Sequence, residues 1–174
     1  MLTRKDILAA LDSLAGEIKP HKSRTEILMV GGGALVLLYG VRVSTRDLDV
    51  LIVSTDQKTE VLRAAKHVAK TLALPEDWLN EAAKGYIYNV ALGDVVFDAP
   101  SLVVWASAPE QLLAMKLMSW RDEQDIADAA LLLSKITGNR DQVWVKIEHY
   151  IIPSRETKAS YALDELWESL HGSP

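Results

Sequence analysis

Ile7, Leu8, Leu11, Leu14 and Ile18 recur three or four positions apart, the spacing of one buried helical face. Thr3 stands where a capping hydroxyl is wanted, so a helix is predicted from there to about Ile18, closed by Pro20. "EILMV", Glu26 to Val30, is short, apolar and bounded by glycine, which predicts a buried strand. "GALVLLYG" is too apolar for a surface helix and predicts a buried one, with Gly40 as its C-cap. "LDVLIV", Leu48 to Val53, predicts a second buried strand.

A helix follows in "TDQKTEVLRAAKHVAKTLAL", capped by Thr55 or Asp56, with Leu62, Ala65, Val68, Ala69 and Leu72 as its inner stripe. "YIYNVAL", "VVFDA" and "LVVWAS" are three strand-like runs, the first two separated by a tight turn at "LGD", Leu92 to Asp94. From Pro109 the pattern becomes helical: "PEQLLAMKLMSW", then "DEQDIADAALLLSKI" stopping at Gly138, then "DQVWVKIEHYI" and "ETKASYALDELWESL". The order of elements predicts an α/β (α+β) fold, a mixed sheet flanked by helices over residues 1–108, with a helical part over 109–174 packed on that core.

The 174 residues are 49% apolar and 25% charged, which suits one domain, or one domain with a small appendage. No apolar run reaches membrane-span length, and the amino-terminal stretch carries acids where a signal peptide would be apolar. Cysteine is absent, which excludes disulfides and thiolate zinc sites; a cytoplasmic protein with no membrane partner is expected. The net charge of −5 argues against a general nucleic-acid coat. Basic residues do cluster, His21, Lys22 and Arg24 in one stretch and Arg42 and Arg46 before Asp47, and solvated loop charge is the default for both. The four histidines show no metal-ligand spacing, and the five tryptophans are expected to pack cores or interfaces.

The chemistry concentrates in "MVGGGALVLLYGVRVSTRDLDVLIV". On a strand, residues i and i+2 share a face, so Asp47 and Asp49 project together while Leu48 faces the core. Two adjacent carboxylates repel, and a divalent cation with a taste for hard oxygen ligands, magnesium above all, offsets the repulsion. Gly31, Gly32 and Gly33 lie between strand and helix, where backbone N–H groups favour phosphate. The run is neither a P-loop nor a dinucleotide fingerprint, because the closing Lys-Ser/Thr and the glycine spacing are both missing. Carboxylates beside a phosphate cradle point to a metal–nucleotide site; a structural turn with a charged strand end is the alternative.

The order "GGGA", helix, "TRDLDVLIV" resembles the nucleotidyltransferase superfamily that includes DNA polymerase beta. "SAPEQLLAMKLMSWRDEQDIADAALLL" is similar to a region of the AbiEii/MenT-type toxin nucleotidyltransferases and their small relatives, with a helical lysine followed by an Arg-Asp-x-x-Asp segment. Lys116 fits the lysine, and Arg121, Asp122 and Asp125 fit the segment. The resemblance implies a magnesium-dependent transfer of a nucleoside monophosphate from an NTP to a hydroxyl. It makes Asp47 and Asp49 the metal ligands, and Gly31 to Gly33 with Lys116 the nucleotide contacts. It makes Lys116 and Asp125 further catalytic groups. It also implies a toxin-like component of a toxin–antitoxin or phage-defence pair, with a tRNA 3′ end as acceptor and a cognate antitoxin as partner.

The chain departs from that pattern in three places. Gly33 stands where the toxins carry a hydroxyl residue, Lys116 and Asp125 are closely spaced, and the third carboxylate is open between Asp94 and Asp98. A small-molecule nucleotidyltransferase of the aminoglycoside kind and a non-catalytic scaffold of the same fold are the rival readings. Lys116 is a long side chain on an apolar helix, Asp125 is the anion that could receive its head, and its replacement by methionine is expected to be tolerated or even stabilising in folding.

Overall fold

The computed structural model describes residues 1–19, 23–39 and 42–172; the expected helix ends at Pro20 and Gly40, and the basic pair His21 and Lys22, lie outside the described residues. The chain divides into two compact units, one of Met1–Lys84 with Leu92–Ser107, the other of Gly85–Ala91 with the chain from Ala108 onward.

The first unit opens with a two-residue strand, β1 (Leu2–Thr3), and helix α1 (Arg4–Glu17). Thr3 and Asp6 form a reciprocal capping box, each side chain taking up a backbone N–H that the first turn would otherwise leave without a partner. The buried face of α1 is Ile7, Ala10, Leu11, Leu14 and Ala15, with Leu8 only half-buried. Strand β2 (Thr25–Val30) leads without a loop into α2 (Gly31–Ala34), which widens to a π-helix over Leu35–Tyr39. The glycines are therefore the first helical turn itself rather than a loop ahead of it. β3 (Ser44–Thr45) pairs antiparallel with β1, and β4 (Leu48–Ile52) follows. The next helix, α3 (Lys58–Thr71), begins one turn later than expected, because Thr55–Gln57 form a 3-10 turn and Gln57 is the cap position. Its inner face is Val61, Ala64, Ala65, Val68 and Ala69; Leu72 is exposed.

Three strands complete the main sheet: β5 (Leu79–Asn80), β6 (Leu92–Asp98) and β7 (Leu102–Ser107). The order is β5-β4-β2-β7-β6, with β2 parallel to β7, β5 parallel to β4, and the other neighbours antiparallel, which is the mixed sheet the element order predicts. The "YIYNVAL" run is not a strand. A 3-10 turn covers Ala82–Tyr86, and "LGD" belongs to β6 itself, whose reversal comes later, where Ala99 and Leu102 exchange backbone hydrogen bonds. Trp78 is fully buried and donates its indole N–H to Ala65 O at 2.9 Å, tying the short β5 segment to α3.

The second unit is helical: α4 (Pro109–Ser119), α5 (Glu123–Leu133), α6 (Arg140–Ile147) and α7 (Glu156–His171). α4 is its axis. Leu112, Leu113, Ala114, Met115, Leu117 and Met118 are all buried, and α5, α6 and α7 each pack on it. α5 stops at Leu133, short of the positive-φ Gly138. Among the described residues no helix is long and apolar enough to cross a membrane.

Candidate active site

The end of β2 and the start of β4 meet in register, Val30 opposite Asp49. The chain turns into α2 at that point with Gly31 at φ +62°, a conformation that costs a side-chain-bearing residue more than it costs glycine. A Cβ on Gly31 would lie 3.3 Å from Asp49 Oδ2. The first turn of α2 is thus laid against the Asp49 carboxylate.

The other two glycines have different reasons to be glycine. A Cβ on Gly33 would lie 2.8 Å from Leu48 Cδ2 and 2.9 Å from Met29 Sδ, so this residue lets the helix settle onto the core. A Cβ on Gly32 would lie 2.5 Å from Thr45 Oγ1 and 2.8 Å from Arg42 Nη1. Arg42 is therefore no detached surface charge; its guanidinium occupies the space that Gly32 leaves open.

Asp47 lies in the bend just before β4, and Asp49 is the second residue of the strand. Leu48 between them is fully buried, as the alternation requires, and both aspartates are half-buried. Asn80 borders both. It pairs in register with Asp49 across β5 and β4, and its Nδ2 faces Asp47 Oδ2 at 3.5 Å. Its amide orientation is set from the other end, because Oδ1 accepts from Ala82 N at 2.8 Å while Nδ2 also donates to Asp77 O at 3.2 Å. Asn80 thus turns an N–H edge towards Asp47. The sequence carried a signal for this residue, "DWLN", but a two-residue strand is too short for a periodicity to show.

Neither candidate for a third carboxylate joins the pair. Asp98 lies opposite Val103, at the end of the sheet where β2 begins, and ion-pairs with Arg24. Asp94 lies towards the other end of β6, but β2 and β7 separate β6 from β4, a span of roughly 14 Å at about 4.8 Å per strand. Among the described residues no group of three or more His, Cys, Asp or Glu converges as a metal cluster. Two hard carboxylates nonetheless suit magnesium, which is usually held by one or two protein carboxylates with phosphates and water completing its shell.

Lys116 and Asp125 belong to the second unit, and the structure does bring them together. Lys116 Nζ lies 2.7 Å from Asp125 Oδ1 and 2.8 Å from Asp128 Oδ2. The three side chains are 13%, 3% and 2% exposed, so the ion cluster is buried between α4 and α5. Asp125 Oδ2 also accepts from Ser119 Oγ at 3.1 Å, from Arg121 Nε at 3.1 Å and from the Arg121 backbone N–H at 3.3 Å. Burial pushes the Asp125 carboxyl up, but Lys116 and Arg121 outweigh burial and hold it at about 2. Asp122 caps α5 by accepting from Asp125 N at 2.9 Å. Sequence reasoning missed Asp128, whose signal was its i+3 spacing from Asp125. The cluster also corrects the expectation that Lys116 is dispensable for folding, since two buried carboxylates depend on its charge.

Residues 6–139 match the family model described as a nucleotidyltransferase of unknown function (DUF6036). No curated protein and no solved structure matches the chain.

Proposed function

The chain belongs to the DUF6036 family of nucleotidyltransferases, and from that premise we propose that it transfers a nucleoside monophosphate from an NTP to a hydroxyl acceptor. One observation carries the reading: the first turn of α2 lies against the Asp49 carboxylate, with the Gly31 Cβ position 3.3 Å from its Oδ2. Phosphate-facing N–H groups and a metal-binding carboxylate are then neighbours in the same unit. In the transfer, the acceptor oxygen bonds to the α-phosphorus as the bond to the β-phosphate oxygen breaks. Pyrophosphate leaves, and the hydroxyl proton passes to water.

Asp47 and Asp49 are the residues that would hold magnesium, with Asn80 orienting Asp47. The bound ion supplies positive charge for the phosphates and for the negative charge developing on the leaving group. Gly31 to Gly33 hold the phosphate chain through backbone N–H groups, and Gly33 seats the turn on the core. Lys116 and Asp125, with Asp128, hold α4 to α5 in this reading. The resemblance to AbiEii/MenT-type toxins makes a tRNA 3′ end the leading acceptor and a cognate antitoxin protein the expected partner.

The test is incubation of the purified chain with each α-labelled NTP and magnesium in the presence of total RNA, total protein or an aminoglycoside. Label in the RNA pool, lost in Asp47→Asn and Asp49→Asn variants of unchanged circular dichroism, is the expected result. Label in none of the pools, with no magnesium-dependent NTP binding, would mark a non-catalytic scaffold.

A further inference from the structure

Resting on that reading, we infer that Arg42 is the residue that binds the nucleotide's phosphates, and that Gly32 is glycine in order to admit its guanidinium. Arg42 Nη1 lies 2.8 Å from the Gly32 Cβ position, well inside the distance at which any Cβ would have to displace it. Thr45 Oγ1 lies 2.5 Å from the same position, while donating to Asp47 O at 3.1 Å. A guanidinium and a hydroxyl therefore converge on the backbone of the turn.

The neighbouring residue gives this convergence its meaning. Asp49 Oδ2 lies over Gly31 and Arg42 Nη1 lies over Gly32, and consecutive Cα atoms are about 3.8 Å apart. A carboxylate and a guanidinium thus each approach one of two consecutive residues of the turn. A metal–triphosphate has the matching polarity, a cation on one side for Asp49 and anionic oxygens on the other for Arg42. The planar, always-charged guanidinium presents paired N–H groups in a fixed fork that matches phosphate oxygens, a geometry an ammonium lacks. Thr45 also brings a hydroxyl to the turn from β3, although Gly33 provides none.

The experiment measures binding of inorganic triphosphate, an NTP, the matching NMP and the nucleoside to the full chain by calorimetry, for wild type, Arg42→Met and Arg42→Lys. Arg42→Met is expected to weaken inorganic triphosphate and the NTP about ten- to a hundredfold, the size of losing one charge-assisted contact. The NMP should weaken less and the nucleoside not at all, and Arg42→Lys should recover only part of the loss. Gly32→Ala, whose methyl must push aside both the Thr45 hydroxyl and the guanidinium, should weaken triphosphate at least as much. If the wild type binds the NTP and Arg42→Met binds it equally well, or loses the nucleoside just as much, the role of Arg42 is refuted while the nucleotidyltransferase reading stands. If the wild type binds neither NTP nor triphosphate, that underlying reading fails and this inference goes with it.

Discussion

Replacing Lys116 by methionine keeps the length of the stem and removes one charge between two buried carboxylates. In the native chain Lys116 Nζ sits 2.7 Å from Asp125 and 2.8 Å from Asp128, side chains only 3% and 2% exposed. After the change Asp125 still has Ser119, the Arg121 backbone N–H and the Arg121 side chain, and Asp128 still has Gln124 Nε2 at 3.1 Å. Removing one partner of a buried ion pair costs about 3–5 kcal/mol, and the donors left on Asp125 place this case near the lower end, about 3 kcal/mol. With a urea slope of about 2 kcal/mol/M, that moves the unfolding midpoint down by roughly 1.5 M. The loss should depend on pH with a defined sign. Lys116 is one of the groups that hold the native Asp125 carboxyl down at about 2, so the penalty is full at pH 7 and shrinks as pH falls from about 4 towards 2, where native Asp125 also protonates. Urea unfolding followed by circular dichroism at pH 7 and pH 3 reads both effects. A second substitution, Asp128→Asn in the Lys116→Met background, should recover most of the midpoint by removing one of the two stranded charges. A Lys116→Met midpoint equal to wild type at pH 7, or a double variant with no recovery, would refute the buried-cluster argument.

Three further outcomes follow from the same geometry. Gly33→Ala should lower stability by about 1–3 kcal/mol, the range for overpacking a filled core, because its Cβ would meet Leu48 Cδ2 at 2.8 Å and Met29 Sδ at 2.9 Å; thermal melts of the two proteins check it. Asn80→Asp should place an oxygen against both Asp47 Oδ2 and Asp77 O; it should lower the melting temperature at pH 7, and a melt that rises at pH 7 would show that Asn80 is not a donor there. Asp125 is held at about 2, below its ordinary 3.8, so its stabilisation is complete above about pH 4 and lost as pH falls towards 2; acid titration of wild type against Asp125→Asn should show that part of the acid slope missing from the variant.

Much of the fold was legible in the pattern of apolar positions. A fourteen-residue helix such as α1 repeats its buried face three or four times, and Thr3 marks its start. β2, β4 and β7 each carry an apolar run, Ile27–Val30, Val50–Ile52 and Leu102–Ala106. The approach of Gly31 to Asp49 could also be anticipated, because the chain reaches one from the other through a single helix and a short turn. Period alone failed where it had little length to work with or two phases to choose between. β1, β3 and β5 have two residues each, a single repeat of a strand and too few to show a period. In α3 the apolar face turned out to run through Val61 rather than Leu62, since both positions are apolar and only packing selects the phase.

The sequence by itself determined which residue types are present and which of them stand close along the chain. It determined that glycines precede a carboxylate pair and that a lysine precedes an Arg-Asp-x-x-Asp segment. Tertiary structure alone decided what each charge faces. It set Asp49 over Gly31 and Arg42 over Gly32, turned the Asn80 amide towards Asp47, and left Asp98 beside Arg24 at the other end of the sheet. It also closed Asp125 and Asp128 around Lys116, making a fold-stabilising cluster of a lysine that one-dimensional spacing marks only as a cation on an apolar helix. The physical reason is that Coulomb energy and desolvation depend on distances of a few ångströms and on burial. Contacts between residues far apart in the chain fix both, and no local pattern records them.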